Sequence, residues 1–199
     1  MNSSSFLSLE LRALSYNQAH PKWTASHLTT TTDASGREWL NGIWVLGQNY
    51  RSTTGFYGSY PPGYLERVMS MFGDAERVCH LFSGSLPPGN YVRVDLVQEC
   101  DVKADAQKLE ETFRAGAFDL IIADPPYSLF DAARYKTPMI DRRKVLRGCA
   151  HCLAPGGFLV WLDTSYPMFR KDVFEICGFI GVVRSTNHRY RMVAIFRRK

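Results

Sequence analysis

From Gly73 to the C-terminus the chain alternates short apolar runs with turns and helical segments, and this alternation narrows its fold more than any other feature. Val78 to Phe82, Tyr91 to Asp95, Asp101 to Ala104, Phe118 to Ala123 and Phe158 to Leu162 each predict a strand. Arg142 to Leu153 predicts a helix that stops before Pro155-Gly156-Gly157, and Lys171 to Cys177 predicts another. Phe179 to Arg184 and Tyr190 to Phe196 predict a terminal antiparallel pair around Ser185-Thr186-Asn187-His188. Strand, crossover, strand is the pattern of a mostly parallel α/β sheet.

Two crossovers are too short for that pattern. Ser83 to Asn90 separates the first two strands and Leu96 to Cys100 the next two, whereas a parallel connection takes about a dozen residues or more, usually as a helix. Both crossover helices are therefore expected to be abbreviated, which leaves one sheet face short of cover. The N-terminal segment, with Trp23, Trp39 and Trp44, or a second copy of the chain, is expected to shield it. Within that segment, residues 6–16 predict a short helix with Leu7, Leu11 and Leu14 on one face, and His27 to Thr32, the turn Asp33 to Gly36 and Glu38 to Leu46 predict a hairpin. Pro61-Pro62 predicts the start of a helix through Met71, with a stripe of Tyr64, Leu65, Val68, Met69 and Phe72 and a stop at Gly73. The expected organisation is an N-terminal extension over 1–54, contacting substrate or a second copy, and one catalytic domain over 55–199.

At 199 residues with 45% apolar content, the chain can bury a proper core and is not of disordered type. A net charge of +5 and a pI near 9.0 suit a polyanionic partner. Five cysteines and no secretory leader at Met1 to Ser5 lead to the expectation of a reducing cytoplasm, and no apolar run is long enough to span a bilayer. Cys149-Ala150-His151-Cys152 lacks a second ligand pair at metal-binding spacing, so no metal is expected. His80, inside the first strand, reads as structural.

Asp124-Pro125-Pro126-Tyr127 follows directly on the run Phe118 to Ala123. Asp124 is an acceptor where a strand stops, the two prolines stiffen the backbone and remove two N–H donors, and Tyr127 supplies a flat ring. The exocyclic amine of a base is a poor nucleophile because its lone pair is delocalised. Acceptors fixed around its N–H groups, here the Asp124 carboxylate and the Pro125 carbonyl, favour attack by drawing the nitrogen toward tetrahedral geometry. Tyr127 could stack on a base that has left its helix. The plainer reading is a strand end followed by a Pro-Pro turn with Tyr127 merely packed.

From about Gly55 onward, this layout resembles a class I S-adenosylmethionine-dependent methyltransferase, and Asp124-Pro125-Pro126-Tyr127 is similar to the catalytic motif of the amino-methyltransferases that modify adenine N6 or cytosine N4. The resemblance implies a Rossmann-like fold, S-adenosylmethionine as cofactor, and catalytic roles for Asp124, Pro125, Pro126 and Tyr127. Phe82-Ser83-Gly84-Ser85 resembles the family's cofactor loop, although Leu86 stands where a second glycine is usual. By the same resemblance Asp95 would accept from the cofactor's ribose hydroxyls, and Asp105, followed by Ala106, from its adenine amine, with Asp101 as a rival. Gly55 to Pro62 resembles the segment that meets the methionine end, which implicates Tyr57 and Pro61.

The core uses up the chain after Ser128, so no separate specificity domain is expected there. Substrate contact is assigned to the N-terminal segment, to Arg134 and Lys136 in the loop Ser128 to Pro138, and to His188 and Arg189 beside Arg184 and Arg191 in the terminal hairpin. The expected function is methyl transfer to an exocyclic nucleobase amine, adenine N6 in DNA ahead of cytosine N4. A nucleic acid is the expected partner, DNA ahead of RNA, with no membrane and with a homodimer or partner subunit over the open face. The alternatives are an RNA base N-methyltransferase and a non-catalytic cofactor-binding subunit.

Overall fold

A computed structural model describes residues 6–46, 60–184 and 190–199. Its strands are β1 Thr29–Thr32, β2 Glu38–Leu46, β3 Val78–Leu81, β4 Val92–Asp95, β5 Val102–Lys103, β6 Phe118–Ala123, β7 Leu153–Asp163, β8 Phe174–Arg184 and β9 Tyr190–Arg198. Its helices are α1 Leu9–Ala19, α2 Tyr64–Met71, α3 Leu109–Thr112, α4 Leu129–Arg134 and α5 Arg142–Cys152. The strands form one sheet in the order β1-β2-β8-β9-β7-β6-β3-β4-β5. β2, β8, β7, β6, β3, β4 and β5 run in one direction, and β1 and β9 oppose them.

The path from β3 through β6 opens the sheet at one edge. The chain moves outward from β3 to β4 and β5, then returns to place β6 on the other side of β3, with Leu81 opposite Ala123. That reversal opens a crevice beyond the carboxyl ends of β3 and β6, where ligands bind in open α/β sheets. The two-sided burial of β3 and β6, every residue of each being buried, reflects helices on both faces.

The crossovers after β3 and β4 contain no helix, as their lengths require. Cover on that side comes from the N-terminal half instead. Leu9, Ala13 and Tyr16 of α1 and Tyr64, Val68 and Met71 of α2 pack with Leu40 and Trp44 of β2 and Leu120 and Ile122 of β6. On the opposite face α3 and α5 bring Leu109, Val145, Leu146 and Cys149 against Leu81, Ile121 and Trp161. The hairpin of β1 and β2 forms as expected but extends the sheet, pairing in parallel with β8. Gly178 permits that approach: a Cβ there would stand 2.3 Å from the Leu40 carbonyl oxygen. Trp44 is wholly buried, while Trp23 lies near the surface with its ring stacked on His20 at 4.1 Å.

Three local expectations are corrected. α1 turns Leu9, Arg12, Ala13 and Tyr16 inward and leaves Leu11 and Leu14 exposed, because Arg12 pairs with Asp74 and its guanidinium lies over Phe72 and Phe158. Residues Lys171 to Cys177 are not a helix: β8 begins at Phe174, and Phe174 and Ile176 are buried on either side of a less buried Glu175, the period of a strand. The helix expected at Pro61 begins at Tyr64, after a turn in which Tyr64 N–H donates to the Pro61 carbonyl and Gly63 adopts φ +74°. The turn Ser185 to His188 lies outside the described residues.

Candidate functional site

β3 ends in a turn that only a strained backbone can make. Phe82 and Gly84 both have positive φ, 57° and 54°, and a non-glycine residue pays about 1–3 kcal/mol for that region. The turn is held by Ser83 N–H donating to the Val94 carbonyl and by Gly84 N–H donating to Asp95 at 3.0 Å. Asp95 thus ties the loop after β3 to the end of β4. Its other oxygen accepts from Val97 and Gln98 N–H, each at 2.8 Å, which shapes the loop after β4.

Asp105 caps the 3-10 turn Ala106–Lys108 by accepting from Gln107 N–H at 2.9 Å. Gln107 in turn accepts from Asp141 N–H at 2.8 Å and so links this wall to the start of α5. Asp101 points elsewhere: it pairs with Arg93 through Nη2 at 2.8 Å and Nε at 3.1 Å. The rivalry between Asp101 and Asp105 resolves by placement, since Asp105 lines the cleft and Asp101 does not.

That cleft lies across the carboxyl ends of β3 to β6. Phe82, Gly84, Asp95, Asp105, Ala106, Asp124 and Pro126, all singled out from sequence, line it together. Sequence reasoning missed Val94, Leu96, Ala104, Gln107, Thr137 and Ile140 among the other residues of its walls. Those are ordinary apolar or small polar residues whose role comes from position alone. Ser85 and Pro61 meet in a neighbouring depression with Tyr60, Glu66 and Leu86. Ser83 is buried, and its hydroxyl has no hydrogen-bond partner among the described residues. Tyr57, His188 and Arg189 lie outside the described residues. Arg134 and Lys136 flank the cleft without lining it, and the Arg134 guanidinium lies 5.7 Å from the Phe130 ring centroid.

At the far end, Asp124 follows β6 directly. Burial pushes its carboxyl up to about 7, against the opposing pull of a hydrogen bond from the Tyr127 hydroxyl and of the Arg191 charge. Arg191, near the start of β9, lies 4.7 Å from the Tyr127 ring centroid, a cation–π distance. Its Nε is buried without a hydrogen-bond partner among the described residues. Arg142 steadies the same loop from behind, donating to the Tyr127 carbonyl at 3.3 Å while its Nε bonds the buried Asp163 at 2.8 Å. Beneath the site, burial lowers His80 to about 4, so it is neutral, and its ring sits between Tyr60 and Tyr91.

Among the described residues no group of histidine, cysteine and acidic side chains could hold a metal ion, and no helix is long and apolar enough to cross a membrane. No protein-family model and no curated protein matches the chain. Solved structures do. TrmN from Thermus thermophilus aligns at 20% identity and a TM-score of 0.50, over 71% of this chain and 50% of that one. The N-methyltransferase NodS from Bradyrhizobium japonicum, solved with S-adenosyl-L-homocysteine, aligns at 14% identity and a TM-score of 0.42, over 62% of this chain and 78% of that one. The chain therefore spans half the length of the TrmN structure, and that likeness speaks to architecture. Taken with the strand order and the crevice at the β3–β6 reversal, it gives this chain a Rossmann-like methyltransferase fold.

Proposed function

We propose that the chain transfers a methyl group from S-adenosylmethionine to an exocyclic amine of a nucleobase, with adenine N6 in DNA as the first target and cytosine N4 as the second. One observation carries this reading: Gly84, Asp95, Asp105, Asp124 and Pro126 come from four separate loops and line a single cleft.

The cleft suits that cofactor. Phe82, Val94, Ala104, Ala106 and Ile140 offer apolar walls to a purine. Among the described residues Asp105 Oδ2 has only a long contact, 3.4 Å from Gln107 Nε2, and so is available to an amine. Asp95 has spent three acceptor sites on backbone N–H groups, and a carboxylate offers about four, which leaves one for a ribose hydroxyl. The cofactor supplies an electrophilic methyl group on a sulfonium.

Asp124 and the Pro125 carbonyl then act as acceptors for the two N–H groups of the target amine, aiming its lone pair at the methyl group. A carboxyl poised near 7 is also suited to take the proton that the methylated amine must release. Tyr127 offers its ring as the stacking surface, and the basic character of the chain favours a polyanion. The extension over 1–54 contributes cover through α1 and a lateral surface through β1 and β2, where substrate or a second copy could dock.

The test is transfer of labelled methyl to duplex DNA, single-stranded DNA and RNA, with calorimetry for S-adenosylmethionine. Label in DNA, lost in Asp124→Ala at nearly unchanged cofactor affinity, supports the reading. Label in RNA alone moves the target to an RNA base. Undetectable cofactor binding by the isolated chain rejects the cofactor assignment for the chain acting alone.

A further inference from the structure

Ser128, directly after Tyr127, caps α4 by accepting from Asp131 N–H at 3.2 Å and donating to Asp131 Oδ2 at 2.8 Å. The cap fixes the direction of the next two side chains, and both are large, apolar and turned to solvent. Leu129 is 75% exposed and Phe130 65%. Consecutive Cα atoms are about 3.8 Å apart, so Leu129 stands within about 8 Å of Tyr127 along the chain. Arg134, one turn further along, places its guanidinium over the Phe130 ring, and Lys136 follows in an exposed position with φ 58°. Tyr190, 61% exposed, begins β9 at the same edge, next to the Arg191 that covers Tyr127.

A base whose amine must reach Asp124 has to leave its stack, and the stack it leaves contains a gap. Apolar side chains inserted between base steps offset that loss in proteins that unstack nucleic acid, with neighbouring cations engaging the phosphates. We propose that Leu129 and Phe130 are such a wedge, entering the stack of a duplex at the position vacated by the target base while Arg134 and Lys136 meet the adjoining backbone. This rests on the nucleobase-amine reading above and deepens it by assigning the substrate class: a stacked, paired strand. The placement favours nucleic acid over a protein partner because the apolar pair is contiguous with the catalytic tetrapeptide and bordered by cations.

The test uses the full chain with two DNA substrates of one sequence, a perfect duplex and a single strand, and a fluorescent base analogue beside the target as a reporter of unstacking. The paired substitution Leu129→Ala/Phe130→Ala removes exposed side chains, and an unchanged melting temperature shows that folding is intact. The expected result is a loss of at least about tenfold in kcat/KM on the duplex with less than about twofold on the single strand, together with a lost unstacking signal. Phe130→Leu, which keeps an apolar wedge, is expected to retain most of the duplex activity. Equal loss on both substrates, or unchanged transfer to the duplex, overturns the wedge alone. Transfer to neither substrate by the unsubstituted chain overturns the DNA target of the underlying reading as well.

Discussion

The Tyr127 hydroxyl donates a hydrogen bond to the Asp124 carboxylate. In the free protein, the acceptor proposed for a substrate amine is therefore already engaged by the residue proposed to stack on that substrate. The same bond helps keep Asp124 ionised against the pressure of burial.

The pH dependence follows. Under the proposed mechanism Asp124 is a charged acceptor and can take a proton only when ionised, and burial pushes its carboxyl up to about 7. kcat/KM is expected to fall as pH drops below about 7, with an acid limb missing from Asp124→Asn, whose residual transfer is low at every pH. Stability moves the other way. The folded value lies above the ordinary 3.8, so the folded state binds the proton more tightly and stability declines as pH rises from about 4 to about 7. Asp124→Asn is expected to raise the melting temperature at pH 8, by the equivalent of ~1–3 kcal/mol. A variant destabilised at pH 8 contradicts the burial argument.

Tyr127 separates its two roles by substitution. Tyr127→Phe keeps the ring under Arg191 and removes the bond to Asp124, so the acid limb is expected to move to higher pH with the plateau rate reduced by less than about tenfold. Tyr127→Ala removes the stacking surface, worth ~1–3 kcal/mol per base, and is expected to raise KM about tenfold or more. Equal effects of the two substitutions on KM would remove stacking from the account.

Asp101 and Asp105 make a matched pair for the cofactor end. Both follow β4 within one short stretch, yet Asp101 is spent on Arg93 and Asp105 lines the cleft. Asp105→Asn is expected to weaken S-adenosylmethionine binding about tenfold by calorimetry, the loss of one charge-assisted hydrogen bond. Asp101→Asn is expected to leave affinity within about twofold, since Asp101 is turned to Arg93 and does not line the cleft.

The strand series was legible in the sequence because buried parallel strands are written as mostly apolar runs, here broken only by single residues such as His80, Arg93 and Asp119, and Phe118 to Ala123 ends visibly at Asp124. The cleft's polar landmarks were legible for the same reason, each sitting where a run stops. Its apolar walls were not: Val94, Ala104 and Ile140 look like any core residue until the β3–β6 reversal brings them to one edge. Lys171 to Cys177 misled because a crossover helix is expected before a parallel strand, whereas here Tyr166 and Phe169 pack on Phe179 and Phe196 from an irregular segment. The face of α1 misled because the eye assigns leucine inward and arginine outward, and Arg12 reverses both.

That reversal carries the last prediction. Arg12 is 1% exposed and bonds Asp74 through Nη1 at 2.7 Å and Nη2 at 2.9 Å, with Nη1 also donating to the Met71 carbonyl. Two aromatic faces, Phe72 and Phe158, complete its surroundings at 4.6 and 4.5 Å. The pair thereby ties α1 to the turn between α2 and β3, at the start of the strand that leads to the turn Phe82 to Ser85. Burial raises the Asp74 carboxyl, but the bonds from Arg12 and Leu7 N–H outweigh it and hold the group below its usual value. Its contribution to stability is therefore complete above about pH 4 and is lost as pH falls through the lowered folded value. Asp74→Ala leaves a guanidinium buried without its counter-charge and is expected to cost ~3 kcal/mol in denaturant unfolding at pH 7. Adding Arg12→Met, which restores an apolar fill between Phe72 and Phe158, is expected to recover much of that loss. Recovery would show that the cost lies in the stranded charge; a double variant as unstable as Asp74→Ala would show that the ion pair itself holds α1 in place.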